Sequence, residues 1–87
     1  MDISELLIYT LENKASDLHL TVGMPPAIRL HGEVEPMNYP PLTREETHEL
    51  VYQIMNDRQR AIFEEFHDLD FSLDFGAAGR FRVNTFM

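Results

Sequence analysis

Apolar and polar positions change rhythm three times along this chain. Asp2 stands three residues before Glu5, a capping-box spacing, and Ile3, Leu6, Leu7 and Leu11 then recur at helical intervals. A first helix is predicted there, stopping around residues 13–15. The stretch "SDLHLTVG", residues 16–23, alternates instead. Leu18, Leu20 and Val22 point one way, and Asp17, His19 and Thr21 the other, as in a half-buried strand closed by Gly23. "MPPAIRLHG", residues 24–32, opens on a Pro-Pro turn and continues with Ile28 and Leu30 inward, Arg29 and His31 outward. Gly32 and the short "EVEPM" suggest a tight return into a third strand. The Pro-rich segment 36–43 reads as a loop, since Pro40 and Pro41 fit neither a helix interior nor a central strand.

The helical rhythm then returns. Thr43 with Glu46 forms a second capping box, and Thr47, Leu50, Val51, Ile54 and Met55 make an inner stripe. Asn56 or Asp57 caps anew, and Ala61, Ile62, Phe63 and Phe66 form another apolar face on a helix ending near His67. Alternation resumes with Leu69, Phe71, Leu73 and Phe75 against Asp70, Ser72 and Asp74. "GAAG", residues 76–79, is the expected turn, and Phe81 and Val83 then alternate with Arg80, Arg82 and Asn84. The predicted order is helix, three strands, two helices, two strands. Runs of strands with helices grouped between them predict an α+β fold, an antiparallel sheet with helices packed on one face. The last strand runs apolar to Met87, so we expect the sequence to continue in a longer protein, with a further strand.

Composition narrows this picture. At 87 residues the chain is one domain with one modest core. Apolar residues make up 44%, a globular share. There is no cysteine, so disulfides and thiolate metal sites are excluded. No apolar run is long enough to span a bilayer, and the N-terminus has no basic stretch of the secretory kind. The formal charge of -8 repels phosphate backbones and anionic lipid, which disfavours general nucleic-acid binding.

Against that acidity, Arg80 and Arg82 stand out in "GRFRVN", because only 7 residues are Lys or Arg against 15 Asp or Glu. One use of two arginines on a strand's outer face is a cross-strand pair, and hairpin parity puts Asp74 near one of them. The other is anion recognition by the planar guanidinium fork. His19 and His31 with Asp17 fall short of the three or four converging ligands a metal site needs. Asp70 and Asp74 lie too far apart along a strand to share an ion, and His48 and His67 read as solvated. No serine sits in a G-x-S-x-G context, and neither a P-loop nor a G-x-G-x-x-G run is present.

Three stretches together carry a resemblance: "ASDLHLTVGMPPAIRLHGEV", "MNDRQRAIFEEF" and "DFSLDFGAAGRFRVNTF". They resemble the N-terminal domain of the type IV pilus retraction ATPases, twitching motility proteins of the secretion ATPase superfamily, and the similarity covers essentially the whole chain. The resemblance implies a PAS-like domain ahead of a RecA-like ATPase domain that lies beyond residue 87. It implies a cytoplasmic homohexameric motor at the inner-membrane base of the pilus machine, using ATP and Mg2+ and working on platform proteins. This segment alone would not be catalytic. In such motors the N-terminal domain contacts the neighbouring subunit, and arginines from its last strands approach nucleotide. The matching positions are Arg82 first and Arg80 second. Arg29 also falls on a family position, where an interface or structural role is implied. Secretion relatives use a further arginine on the preceding strand, but "LDFSLDF" has none. The competing expectation is a free-standing sensory or adaptor domain, binding a protein or a small ligand in an apolar pocket. A P-loop encoded shortly downstream would decide for the motor.

Overall fold

The computed structural model describes residues 1–87. Its elements are α1 (Ile3–Glu12), β1 (Asp17–Thr21), β2 (Ala27–Leu30), β3 (Glu33–Pro36), α2 (Arg44–Tyr52), α3 (Asp57–Phe66), β4 (Asp68–Asp74) and β5 (Arg80–Phe86), with a 3-10 turn at Gly76–Ala78. Element order and type are those the hydrophobic rhythm predicts.

Local chemistry sets the helix starts. Asp2 caps α1 by accepting from the Ser4 amide at 3.0 Å. Reciprocal capping boxes open α2, between Thr43 and Glu46, and α3, between Asn56 and Gln59. Such caps satisfy amides that a helix start leaves without partners. Helix α3 ends where His67 turns left-handed, at φ 62°, and donates its amide to the Phe63 carbonyl. Gly79 leaves the β4–β5 turn at φ 127°, a conformation that side chains disfavour.

The sheet order is β3-β2-β1-β5-β4. β1–β2, β2–β3 and β4–β5 are antiparallel, but β1 and β5 run parallel, Asp17 through Thr21 facing Arg82 through Phe86. The expected α+β fold is thus present, with the antiparallel sheet corrected to a mixed one by the central β1–β5 pair. Turn chemistry reports only pairings between successive strands, whereas this one joins segments some 65 residues apart in the chain. In that inner place β5 buries Phe81, Val83 and Thr85 on one face, and Thr85 Oγ1 donates to the Leu69 carbonyl of β4 at 2.7 Å.

The inward face of the sheet carries Leu18, Leu20, Ile28, Phe71, Phe81 and Val83, which form one cluster with Ile3 and Leu6 of α1, Leu50 and Val51 of α2, and Phe63 of α3. The helices cover that face. The expected apolar face of α3 is corrected: Phe63 is buried, but Ala61 and Phe66 are exposed. A ten-residue helix at the sheet's β4 side has room to bury one large anchor, and the rest of its stripe overhangs the edge.

Candidate functional site: the open face of the sheet

Strand alternation sends Asp17 and His19 of β1, Arg29 of β2, Arg80, Arg82 and Asn84 of β5, and Asp70 and Asp74 of β4 to the face opposite the helices. Register then arranges them in rows. Arg29, Asp17, Arg82 and Ser72 stand side by side across four strands, and Ala27, His19, Asn84 and Asp70 form the next row. The parallel β1–β5 pairing makes both rows possible, because it lays Asp17 directly beside Arg82.

Asp17 is the centre of this face. Its side chain is only 3% exposed, yet it is charged and fully engaged. Arg82 Nε donates to Oδ1 at 2.8 Å, Asn84 Nδ2 to the same oxygen at 3.1 Å, and Ser16 Oγ to Oδ2 at 2.7 Å. Arg29 Nε stands 3.8 Å from Oδ2. Burial pushes the Asp17 carboxyl up, but hydrogen bonds from Ser16, Asn84 and Arg82, with the Arg82 charge, outweigh it and hold the group below its ordinary range. Beside it, burial pushes the His19 imidazole down, against the Asp17 charge. His19 Nε2 is buried with no partner, which suits a neutral ring.

The three arginines singled out in the sequence fare differently. Arg82 is held through Nε alone, and its side chain remains 63% exposed, with both terminal nitrogens free of the protein. Arg29 turns the other way: its Nη1 donates to the Gly32 carbonyl at 3.1 Å, tying it to the β2–β3 turn. Arg80 lies on the same strand face as Arg82 and is exposed, with no ion pair. Asp74 does stand opposite Arg80 in register, but its carboxylate accepts from the Gly76 amide at 2.8 Å and pairs with neither arginine. The carboxylate partner of Arg82 is therefore Asp17, not Asp74, and Arg80 has none. Asp74 serves the turn, as short carboxylates beside glycines commonly do.

Sequence reasoning missed Asp17 by placing it on a solvated face. The sequence held no local signal for its burial, because that depends on the parallel pairing of β1 with β5. His31 sits in the β2–β3 turn at φ 50°, while Ala27 is the residue facing His19, so the two histidines do not converge. His48 is corrected from solvated to engaged. Its ring stacks on Tyr52 at 4.1 Å, and its Nε2 lies 2.6 Å from Glu64 Oε1, which also accepts from Tyr52. That cluster joins α2 to α3 on the helical side, away from the open face.

Known proteins resemble the chain over nearly its whole length. No family model matches the chain. It is 52% identical over 86 residues, 99% of its length, to the type IV pilus retraction ATPase PilT of Pseudomonas aeruginosa. The chain matches the N-terminal domain of PilT. It is also 40% identical over the same extent to the type IV pilus ATPase PilU of that organism. In three dimensions it resembles the crystal structure of the pilus retraction motor PilT with bound ADP, at a TM-score of 0.71 and 40% identity over 94% of the chain. The chain spans about a quarter of these relatives' length: 25% of PilT, 22% of PilU and 24% of the solved motor. No helix is long and apolar enough to cross a membrane.

Proposed function

We propose that this chain is the N-terminal, PAS-like domain of an ATP-driven motor that retracts type IV pili, and that its open face presents Arg82 to nucleotide. In the full-length protein a RecA-like domain holds ATP and Mg2+. The domain described here contacts that RecA-like domain and the neighbouring subunits of a homohexamer. The motor works in the cytoplasm at the inner-membrane base of the pilus machine, against platform proteins, and hydrolysis resides in the RecA-like domain. Arg82 meets the phosphates, Arg80 assists beside it, and Arg29 serves the interface or the sheet.

The observation that carries this reading is the state of Arg82. In a chain of net charge -8 one guanidinium is fixed at its inner nitrogen and open at its outer two. That is the geometry for a bidentate contact to phosphate oxygens. An arginine brought to a water-poor phosphoryl-transfer site stabilises the charge that develops there and can dominate the rate.

The test is Arg82→Ala in the full-length protein. ATP turnover should fall by roughly a hundredfold, the scale on which such donors act, while hexamers stay intact by sizing. Undiminished turnover in intact hexamers would remove the nucleotide role.

One observation favours a second reading. A surface groove of about 480 Å³ runs between α1 and the segment after β3, lined by Ile8, Tyr9, Met37 and Tyr39. Its size suits a small ligand, as a sensory or adaptor domain would need. A coding sequence without a P-loop downstream would turn the balance toward it.

A further inference from the structure

We propose that Asp17 is a positioning residue for Arg82: it grips the guanidinium at Nε and so aims the terminal nitrogens out of the sheet toward phosphate. This rests on the reading of Arg82 given above.

An unheld arginine is costly to fix in place. Its side chain is long and rich in rotamers, and fixing it at the moment of contact opposes that contact. A group already fixed in the productive direction acts with less loss. Arg80 and Arg82 differ on this point. Both lie on the same face of the same strand and both are exposed, but only Arg82 has a carboxylate on its inner nitrogen, at 2.8 Å. Arg29 is held too, but its Nη1 is taken by the Gly32 carbonyl of the β2–β3 turn.

The carboxylate is itself held fast. Ser16 and Asn84 donate to it from either side, and it is buried in the central strand of the sheet. Asp17 therefore has a fixed position relative to the core, and through Nε it passes that position to Arg82. The engaged nitrogen is the one whose loss leaves the outward fork intact. Guanidinium presents five N–H donors, and Nε–H accounts for one of them. A carboxylate on the outer edge would instead occupy both terminal nitrogens, the pair that a phosphate would take.

A double-mutant cycle in the full-length protein tests this, with Asp17→Asn and Arg82→Ala, alone and together. In the presence of Arg82, Asp17→Asn should lower kcat about tenfold, the scale of partners that orient a working side chain, with KM for ATP changed by less than about twofold. In the Arg82→Ala background the same substitution should change kcat by less than about twofold. Asp17→Glu, which keeps the charge but shifts the grip by one methylene, should also lower kcat, and it replaces Asp17→Asn in the cycle if that variant does not fold. If Arg82→Ala lowers kcat but the Asp17 variants do not, the positioning role is wrong and the Arg82 role stands. An equal penalty in both backgrounds also overturns it, since Asp17 would then be only structural. If Arg82→Ala itself leaves kcat unchanged, the nucleotide reading fails and this inference fails with it.

Discussion

The two faces of the sheet are built by the same strands and obey different physics. On the covered face, Leu18, Leu20, Ile28 and Val83 are at most 1% exposed and meet side chains from all three helices. Their attraction is non-directional, so many neighbours share each contact. On the open face, order depends on one carboxylate and its donors, Ser16, Asn84, Arg82 and, more distantly, Arg29. Those bonds are directional and few. A residue such as Leu18 is thus replaceable in kind but costly to shrink. Asp17 is replaceable by nothing that lacks its two acceptor oxygens. Alternation along β1 sets the two kinds of residue side by side in sequence and on opposite faces in space.

Shrinking the covered face should have the largest effect. Leu18 lies on the central strand with no exposure. Leu18→Ala should destabilise the domain by about 3–5 kcal/mol, the range for buried leucines whose surroundings cannot collapse. Urea denaturation followed by circular dichroism reads it directly. A loss below about 1 kcal/mol would mean that the site relaxes freely and that the core is less tightly packed than its burial indicates.

The open face should respond less, and unevenly. Asp17→Ala leaves the Arg82, Asn84 and Ser16 donors facing a gap, and should cost about 2 kcal/mol. Arg82→Ala leaves Asp17 with Asn84 and Ser16 still bonded and removes a side chain that is mostly in water. It should cost about 1 kcal/mol or less. The difference in urea midpoints between the two variants is the measurement. Equal losses would mean that the ion pair, rather than the carboxylate's whole set of partners, is what stabilises this face.

How much of this was legible in the sequence follows from the range of each interaction. The helix caps at Asp2, Thr43 and Asn56 and the alternation of β1, β4 and β5 are local, and local patterns expose them. The parallel pairing of β1 with β5 is not local. No turn joins those strands, and so neither the sheet order nor the Asp17–Arg82 contact could be read from spacing. Parity within the β4–β5 hairpin was legible, and it does put Asp74 opposite Arg80. It could not say that the carboxylate would take the Gly76 amide instead, because that choice depends on the 3-10 turn that follows. The exposure of Phe66 was likewise hidden, since a helical stripe shows which residues share a side and not how far the underlying sheet extends.

The open face also differs from the covered one in its response to pH. His19 sits in the row beside Asp17, with Asn84 across the parallel pair, and its Nε2 is shut from water without a partner. Burial lowers its affinity for a proton, and Arg29 and Arg82 oppose a second positive charge, while Asp17 and Asp70 favour one; burial prevails. The unfolded chain therefore binds a proton at His19 more readily than the folded domain does. Stability from this group is complete above the unfolded value, about 6.5, and is lost as pH falls through the lowered folded value. Asp17, also lowered, keeps its contribution until pH falls below the ordinary carboxylate range. Between about pH 7.5 and pH 5.5 the domain should lose stability through His19 while the Asp17 grip remains. His19→Gln should flatten that slope. Urea midpoints across this interval, for the native chain and the variant, decide it. A slope that survives the substitution would place the titrating group elsewhere, and would mean that the ring at position 19 takes up a proton in the fold as easily as in the open chain.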